Sequence, residues 1–119
     1  MSTHCGIAIK TEEGYETIYC HHDGYPSYMF EMLTKNYNSE ELASKLVSLG
    51  DASYIDRLLD PTSDFHKFGT PEPDVSMFYH RDRGEPWEHV APQTFTREEL
   101  CSRFYYAYAW ENDQWKQIH

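Results

Sequence analysis

Strand-like segments lie at both ends of this chain, and helix-like segments occupy much of the middle. Residues 5–10 and 15–20 alternate apolar and polar side chains around a turn, which predicts a first hairpin. Residues 105–111 and 115–118 alternate similarly around a turn at 112–113, which predicts a final hairpin. Because strand runs and helix runs are segregated, we expect an α+β fold with an antiparallel sheet.

Four helices are predicted between the two hairpins. Apolar side chains recur at helical spacing through residues 26–37, and Ser39 is a suitable N-cap for a second helix. Residues 53–59 have the pattern of a short third helix. Thr96 and Glu99 have the spacing of a capping box and predict the start of a fourth.

The remaining segments complete a single domain of 119 residues. Residues 75–81 are predicted as a strand, so the expected order is β-β-α-α-α-β-α-β-β, with about five strands and the helices packed on one face of the sheet. Residues 60–74 contain three prolines and a glycine and predict a long irregular loop, which Phe65 and Phe68 are expected to hold against the body. Loops of this length in small domains are often functional.

The chain carries twenty acidic and ten basic side chains, for a formal net charge of −10. A domain this acidic is repelled by phosphate backbones, so direct binding to nucleic acid is not expected. Two interpretations stay open: the acids keep the protein soluble, or they complement a basic surface of another protein, such as a nucleic-acid-binding groove. Ten tyrosines and three tryptophans favour a partner, because both residue types are enriched at interfaces.

The cysteines indicate a reducing compartment. Cys5, Cys20 and Cys101 are an odd number, widely spaced and without a CxxC pair, which predicts free thiols in the cytoplasm. No charged segment followed by an apolar one opens the sequence, so no signal peptide is expected. No apolar run approaches the roughly 20 residues that cross a bilayer, so no membrane contact is expected either.

Two runs of ionisable residues follow predicted strands, and each is built around a glycine. They supply eight candidate pocket residues: His21, His22, Asp23, Tyr25, His80, Arg81, Asp82 and Arg83. In one interpretation, a histidine acts as general base, an aspartate orients it and an arginine holds an anionic group. In the other, the same residues form a polar network that needs no ligand. Adjacent histidines on a strand point to opposite faces, and we predict no metal and no cofactor.

A second set of candidates would contact a partner protein: Glu72, Asp74, Tyr106, Tyr108, Trp110, Glu111 and Asp113. The first two lie in the loop at 60–74, and the others lie in the final hairpin. The aromatic face of residues 105–110 has two interpretations, as hydrophobic core or as a recognition surface. An aromatic surface with acidic neighbours would suit a basic partner.

Three runs together carry a resemblance to a known family. Residues 19–26 are Tyr-Cys-His-His-Asp-Gly-Tyr-Pro, residues 49–53 are Leu-Gly-Asp-Ala-Ser, and residues 79–85 are Tyr-His-Arg-Asp-Arg-Gly-Glu. With the tyrosine-rich strand that follows, they resemble a family of small proteins of bacteriophages, prophages and plasmids. Members of that family often carry His-Trp-Asp-Gly-Tyr-Pro, where this chain has His22 in place of the tryptophan. The resemblance implies a mobile-element context, in which small acidic proteins are often anti-defence factors, including anti-CRISPR proteins.

These observations support two functions from different classes. The first is a non-enzymatic, anti-CRISPR-like inhibitor that binds a basic surface of a host nucleic-acid-binding complex through acidic and aromatic residues. The alternative is a protein that binds a small molecule or nucleotide, extending to a hydrolase, with its pocket at the two strand ends. Charge and the implied context favour the first.

Overall fold

The computed structural model describes residues 3–119, which form one seven-stranded sheet and five helices. The strands are β1 (Cys5–Thr11), β2 (Gly14–Cys20), β3 (Ala52–Tyr54), β4 (Met77–Phe78), β5 (Gln93–Phe95), β6 (Ala107–Glu111) and β7 (Gln114–Gln117). The helices are α1 (Pro26–Asn36), α2 (Glu40–Ser48), α3 (Tyr79–Arg83), α4 (Trp87–Val90) and α5 (Arg97–Arg103). No helix within residues 3–119 is long and apolar enough to cross a membrane.

The sheet is mixed, with the strand order β4-β3-β2-β1-β6-β7 and with β5 beside the first half of β2. The two predicted hairpins are confirmed, since β1 pairs with β2 and β6 pairs with β7, both antiparallel. The predicted antiparallel sheet of about five strands is wrong. The hairpins are joined by a parallel pair, β1 with β6, and β3 is parallel to β2. Local alternation carries no information about which strands become neighbours.

The helices pack on both faces of the sheet. Because neighbouring residues of a strand point to opposite faces, Ile7 and Ala8 of β1 enter different clusters. Ile7 lies in the larger core with the buried residues of α1 and α2, whereas Ala8 packs with Leu100 of α5. The expectation that all helices cover one face is therefore wrong as well. On the face covered by α5, the buried cluster includes the small side chains of Ala107 and Ala109.

Three of the predicted helices are confirmed, and their starts are those expected from local chemistry. The hydroxyl of Ser39 accepts the backbone N–H of Leu42, 3.1 Å away, at the start of α2. Thr96 and Glu99 form the expected capping box of α5, in which each side chain accepts the other residue's backbone N–H. Pro26 occupies the first turn of α1.

The segments around the long loop differ most from expectation. The helix predicted at 53–59 is absent from the described chain, because β3 pairs there with β2 on one side and with β4 on the other. Of the strand predicted at 75–81, only the two residues of β4 form a strand, and the chain continues directly into helix α3. The Asp82 carboxylate returns to accept the backbone N–H of Phe78, at 2.8 Å, and so ends the strand.

Candidate functional site

A buried imidazole holds the irregular loop of residues 60–74, called here the acidic loop, against the body. The His66 side chain is 1% exposed. Its Nδ1 accepts the backbone N–H of Glu72 at 2.9 Å, so Nδ1 carries no proton. The proton then sits on Nε2, which donates to the carbonyl of Ser76 at 3.1 Å. His66 is therefore a neutral anchor between the acidic loop and the strand region behind it.

Arg81 and Asp82 complete this anchor. The Asp82 carboxylate, whose side chain is 3% exposed, accepts two hydrogen bonds from the Arg81 guanidinium at 2.8 and 2.9 Å. The same guanidinium donates to the carbonyls of Leu59, at 2.6 Å, and of Ser76, at 3.1 Å. His66 Nε2 lies 3.5 Å from Asp82. These contacts form the polar network that was one of the two interpretations of the second ionisable run.

Glu72 folds the acidic loop upon itself. Its carboxylate accepts the backbone N–H groups of Thr62, at 3.0 Å, and of Ser63, at 2.8 Å, and also the Thr62 hydroxyl. The backbone N–H of Thr62 is the main reason that the pKa of Glu72 lies below its ordinary value. Asp74, at φ 67°, pairs with Arg57 across 3.1 Å. Both candidate acids of the acidic loop thus have partners within the protein.

The aromatic side chains of the acidic loop point outward. Phe65 is 79% exposed and Phe68 is 52% exposed, so the expectation that they hold the loop down is wrong. The buried residue between them, His66, does that instead. Arg83, a predicted pocket residue, stacks its guanidinium on the Phe68 ring with Cζ 4.7 Å from the centroid. Asp64, beside Phe65, is exposed.

The aromatic candidates of the final hairpin lie mainly in the core. Tyr108 is fully buried, and its hydroxyl donates to the carbonyl of Gly24 at 2.7 Å. Trp110 is nearly buried and packs edge-on against Trp115, with ring centroids 5.8 Å apart. Tyr106 is partly buried against the same cluster. These side chains leave little surface for a partner.

The acidic candidates of the final hairpin differ from each other. The carboxylate of Glu111 accepts the hydroxyl of Tyr15, at 3.2 Å, and lies 3.4 Å from the Arg97 guanidinium. Asp113 is exposed in the tight turn between β6 and β7, where it and Asn112 both have positive φ. Asp113 is therefore open to a partner, whereas Glu111 is held within the sheet surface.

The first ionisable run contains a hydrogen-bonded chain of rings. The Tyr19 hydroxyl lies 2.6 Å from Nδ1 of His21 and 2.7 Å from Nδ1 of His4. His4 Nδ1 also lies 3.2 Å from the carbonyl of His21, an acceptor only, so His4 carries its proton on Nδ1 and Tyr19 donates to His21. The pKa of His21 is lowered, first by burial and then by the electrostatic influence of the neighbouring imidazoles of His22 and His4.

The other predicted pocket residues are spread over the surface. His22 packs edge-on against His21, Asp23 is exposed with φ 57°, and Tyr25 precedes α1 as its N-cap residue. His80 Nδ1 lies 2.8 Å from the carbonyl of Glu85. The two ionisable runs do not come from neighbouring strands, because β3 lies between β2 and β4. The side chains of the two runs therefore contact different parts of the molecule.

Sequence reasoning missed His66, which anchors the acidic loop together with the predicted residues Arg81 and Asp82. His66 looked like one polar loop residue among many, and only its burial reveals its role. Asp51 was not among the predicted site residues either, yet its carboxylate accepts the backbone N–H of Tyr19 at 2.9 Å. Burial raises the pKa of Asp51 to about 6. Within residues 3–119, no three His, Cys, Asp or Glu side chains are grouped to hold a metal ion.

Comparison with known proteins indicates no function, so the inference of a function rests on the fold and on these sites. No family model matches the chain, and neither a curated protein nor a solved structure matches it. The fold and the anchored loop define a small mixed α+β protein that displays aromatic side chains among carboxylates.

Proposed function

We propose that the protein binds a basic surface of another protein through the acidic loop. The observation that supports this most is the display of Phe65 and Phe68 on either side of the buried His66. Large exposed aromatic side chains on a well-anchored loop are candidates for a contact with a partner, because aromatic residues are enriched at interfaces. The anchor also limits the conformational entropy that binding would otherwise lose.

The charges around these rings indicate what kind of partner fits. Residues 60–74 contain four carboxylates and one lysine, and the whole chain has a formal charge of −10. A field of this sign attracts basic surfaces from a distance and repels nucleic acid. A groove that normally holds a phosphate backbone has the matching charge. The apolar rings would then supply affinity, at roughly 1.5–3 kcal/mol for each phenylalanine that becomes fully buried.

The resemblance to small proteins of mobile elements supports a biological role for such binding. In that context, we infer an anti-CRISPR-like inhibitor that occupies a host nucleic-acid-binding defence complex in the bacterial cytoplasm. Inhibition by occupancy needs no catalytic residue. The polar network of Arg81 and Asp82 would then stabilise the conformation of the acidic loop.

An affinity capture from bacterial lysate at low and moderate salt tests this proposal. We expect the tagged protein to retain a basic nucleic-acid-binding complex that dissociates as salt rises. A variant with Asp64→Lys and Phe65→Ala should lose it. The matched control is Glu12→Lys with Glu13→Lys, which makes at least as large a charge change at exposed positions of the turn between β1 and β2.

The result is decided by the difference between the two variants. Loss of the complex in the loop variant and its retention in the control variant would support the acidic loop as the contact surface. Equal capture by the loop variant and the unchanged protein would overturn the proposal, as would the recovery of no basic protein at low salt. Circular dichroism of each variant establishes that it is folded.

A further inference from the structure

A pocket of about 560 Å³ opens on the sheet face that carries α5. This volume lies in the range of roughly 300–1,000 Å³ that small-molecule sites occupy. Thr17 and Tyr19 of β2 line its floor, Gln93 and Phe95 of β5 line one side, and the segment 104–106 lines the other. The pocket is separate from the acidic loop, none of whose residues line it.

Aromatic residues form a large part of the lining of this pocket. Phe95, Phe104, Tyr105 and Tyr106 all line it, and Tyr105 is 77% exposed. Phe104 lies directly on Gly6, where a Cβ atom would come within 2.6 Å of the ring. The glycine therefore lets Phe104 lie close to the sheet and leaves space above it. Aromatic rings in a pocket wall suit a planar ligand that can stack against them.

Two ionisable groups of opposite character line the same pocket. The guanidinium of Arg103 stacks on Phe95, with Cζ 4.6 Å from the ring centroid, and forms no ion pair within residues 3–119. Asp51 uses Oδ1 to accept the N–H of Tyr19, and no other hydrogen bond to its carboxyl occurs in that part of the chain. The pocket therefore offers a ligand two groups with no such partner within residues 3–119: the Arg103 guanidinium for an ion pair and the second carboxyl oxygen of Asp51 for a hydrogen bond.

We propose that this pocket binds a nucleoside monophosphate. The base would stack against the aromatic rings, a base N–H would donate to the Asp51 carboxylate, and the phosphate would pair with Arg103. One phosphate is favoured over a chain of phosphates, because Arg103 is the one Lys or Arg among the lining residues and the protein as a whole is negatively charged. The inference is independent of partner binding by the acidic loop.

Isothermal titration calorimetry of the full chain tests the proposal with four probes: AMP, GMP, CMP and UMP. Each is compared with its nucleoside and with inorganic phosphate. We expect at least one monophosphate to bind about tenfold or more tightly than its nucleoside, and phosphate alone to bind more weakly than either. Arg103→Gln should remove the tighter binding of the monophosphate, because one charged contact contributes roughly a factor of ten to affinity. The affinity for the nucleoside should change by less than about twofold.

Two further variants connect the binding to this pocket. Tyr105→Ala should weaken nucleoside and monophosphate by a similar factor, because it removes a stacking wall and leaves the arginine. Arg97→Gln is the control, since Arg97 lies on the same helix, pairs with Glu111 and does not line the pocket. The proposal is overturned if no monophosphate binds at millimolar concentration, if phosphate alone binds as tightly, or if Arg103→Gln and Arg97→Gln have equal effects.

Discussion

The backbone N–H of Glu72 donates a hydrogen bond to Nδ1 of the buried His66, across 2.9 Å. This contact ties the middle of the acidic loop to its second half, and the Glu72 carboxylate joins the two ends of the loop through the backbone of Thr62 and Ser63. One imidazole therefore determines the path of the loop. Because its Nδ1 accepts this hydrogen bond, the imidazole is held in its neutral form. The exposed positions of the Phe65 and Phe68 rings depend on this buried imidazole.

We expect His66→Ala to lower the free energy of unfolding by about 2–3 kcal/mol. The substitution removes two buried hydrogen bonds, leaves the N–H of Glu72 without its acceptor and opens a cavity. Urea denaturation followed by circular dichroism measures the change. His80→Ala is the matched control, because that histidine is exposed, and its cost should stay below about 1 kcal/mol. Equal costs for the two variants would contradict the anchoring role.

Arg81→Lys should destabilise the fold by about 1–2 kcal/mol although it keeps the charge. The guanidinium makes two hydrogen bonds to Asp82 and two to backbone carbonyls, a pattern that one ammonium group cannot reproduce. Arg83→Lys is the control, since Arg83 is exposed and stacks on Phe68. Thermal unfolding compares them, and a control that loses as much stability as Arg81→Lys would show that the network contributes little.

Asp51→Asn should change the pH dependence of stability. Burial raises the pKa of Asp51 from its ordinary 3.8 to about 6, so the folded state binds more protons than the unfolded state between these values. Wild-type stability therefore falls on this account as pH rises from about 4 to 6. The asparagine variant avoids that loss and should be about 1 kcal/mol more stable at pH 7.5, a figure reduced for solvent screening at this partly exposed group.

The measurement is the difference in unfolding free energy between variant and wild type at pH 4.5, 6 and 7.5. His21, whose lowered pKa acts in the opposite direction, loses stability as pH falls, and it is common to both proteins. The difference therefore isolates Asp51. Asp64→Asn, at an exposed position, should show no such trend. A difference that stays constant across this pH range would refute the assignment.

Gly24→Ala should be strongly destabilising, by about 2–3 kcal/mol. A Cβ atom at this position would lie 2.7 Å from Cβ of Cys5 and 2.8 Å from the backbone of His4, so the start of β1 would have to move. The carbonyl of the same glycine accepts the buried hydroxyl of Tyr108. Gly69→Ala, with no atom within 4 Å of the added methyl, is the control and should change stability by less than about 0.5 kcal/mol.

Local chemistry made part of this fold predictable from the sequence. The hairpin turns, the N-cap at Ser39 and the capping box at Thr96 are short-range features, and each occurs where its residue types indicate. The strands β3 and β4 have only three and two residues, too few to show a period of two. Their pairing comes from tertiary contacts, which override the helical spacing at 53–59.

The candidate sites were harder to predict for a related reason. A run of ionisable residues marks polar chemistry, but His21 and Arg81 have different neighbours because the topology places β3 between their strands. The pocket beside β2 combines Asp51 with Arg103 and Tyr105, which lie about fifty positions further along the chain and share no motif with it. Likewise, nothing local distinguishes the buried His66 from the exposed Phe65 next to it.

The parallel pair of β1 and β6 has a consequence for how the protein is made. Gly6 is aligned with Ala107, about a hundred positions further along the chain. During translation the first hairpin can form early, but one edge of its central strand stays unpaired until β6 leaves the ribosome. An open edge is a template for association between nascent chains. Protection of this edge until β6 emerges would therefore raise the yield of folded protein.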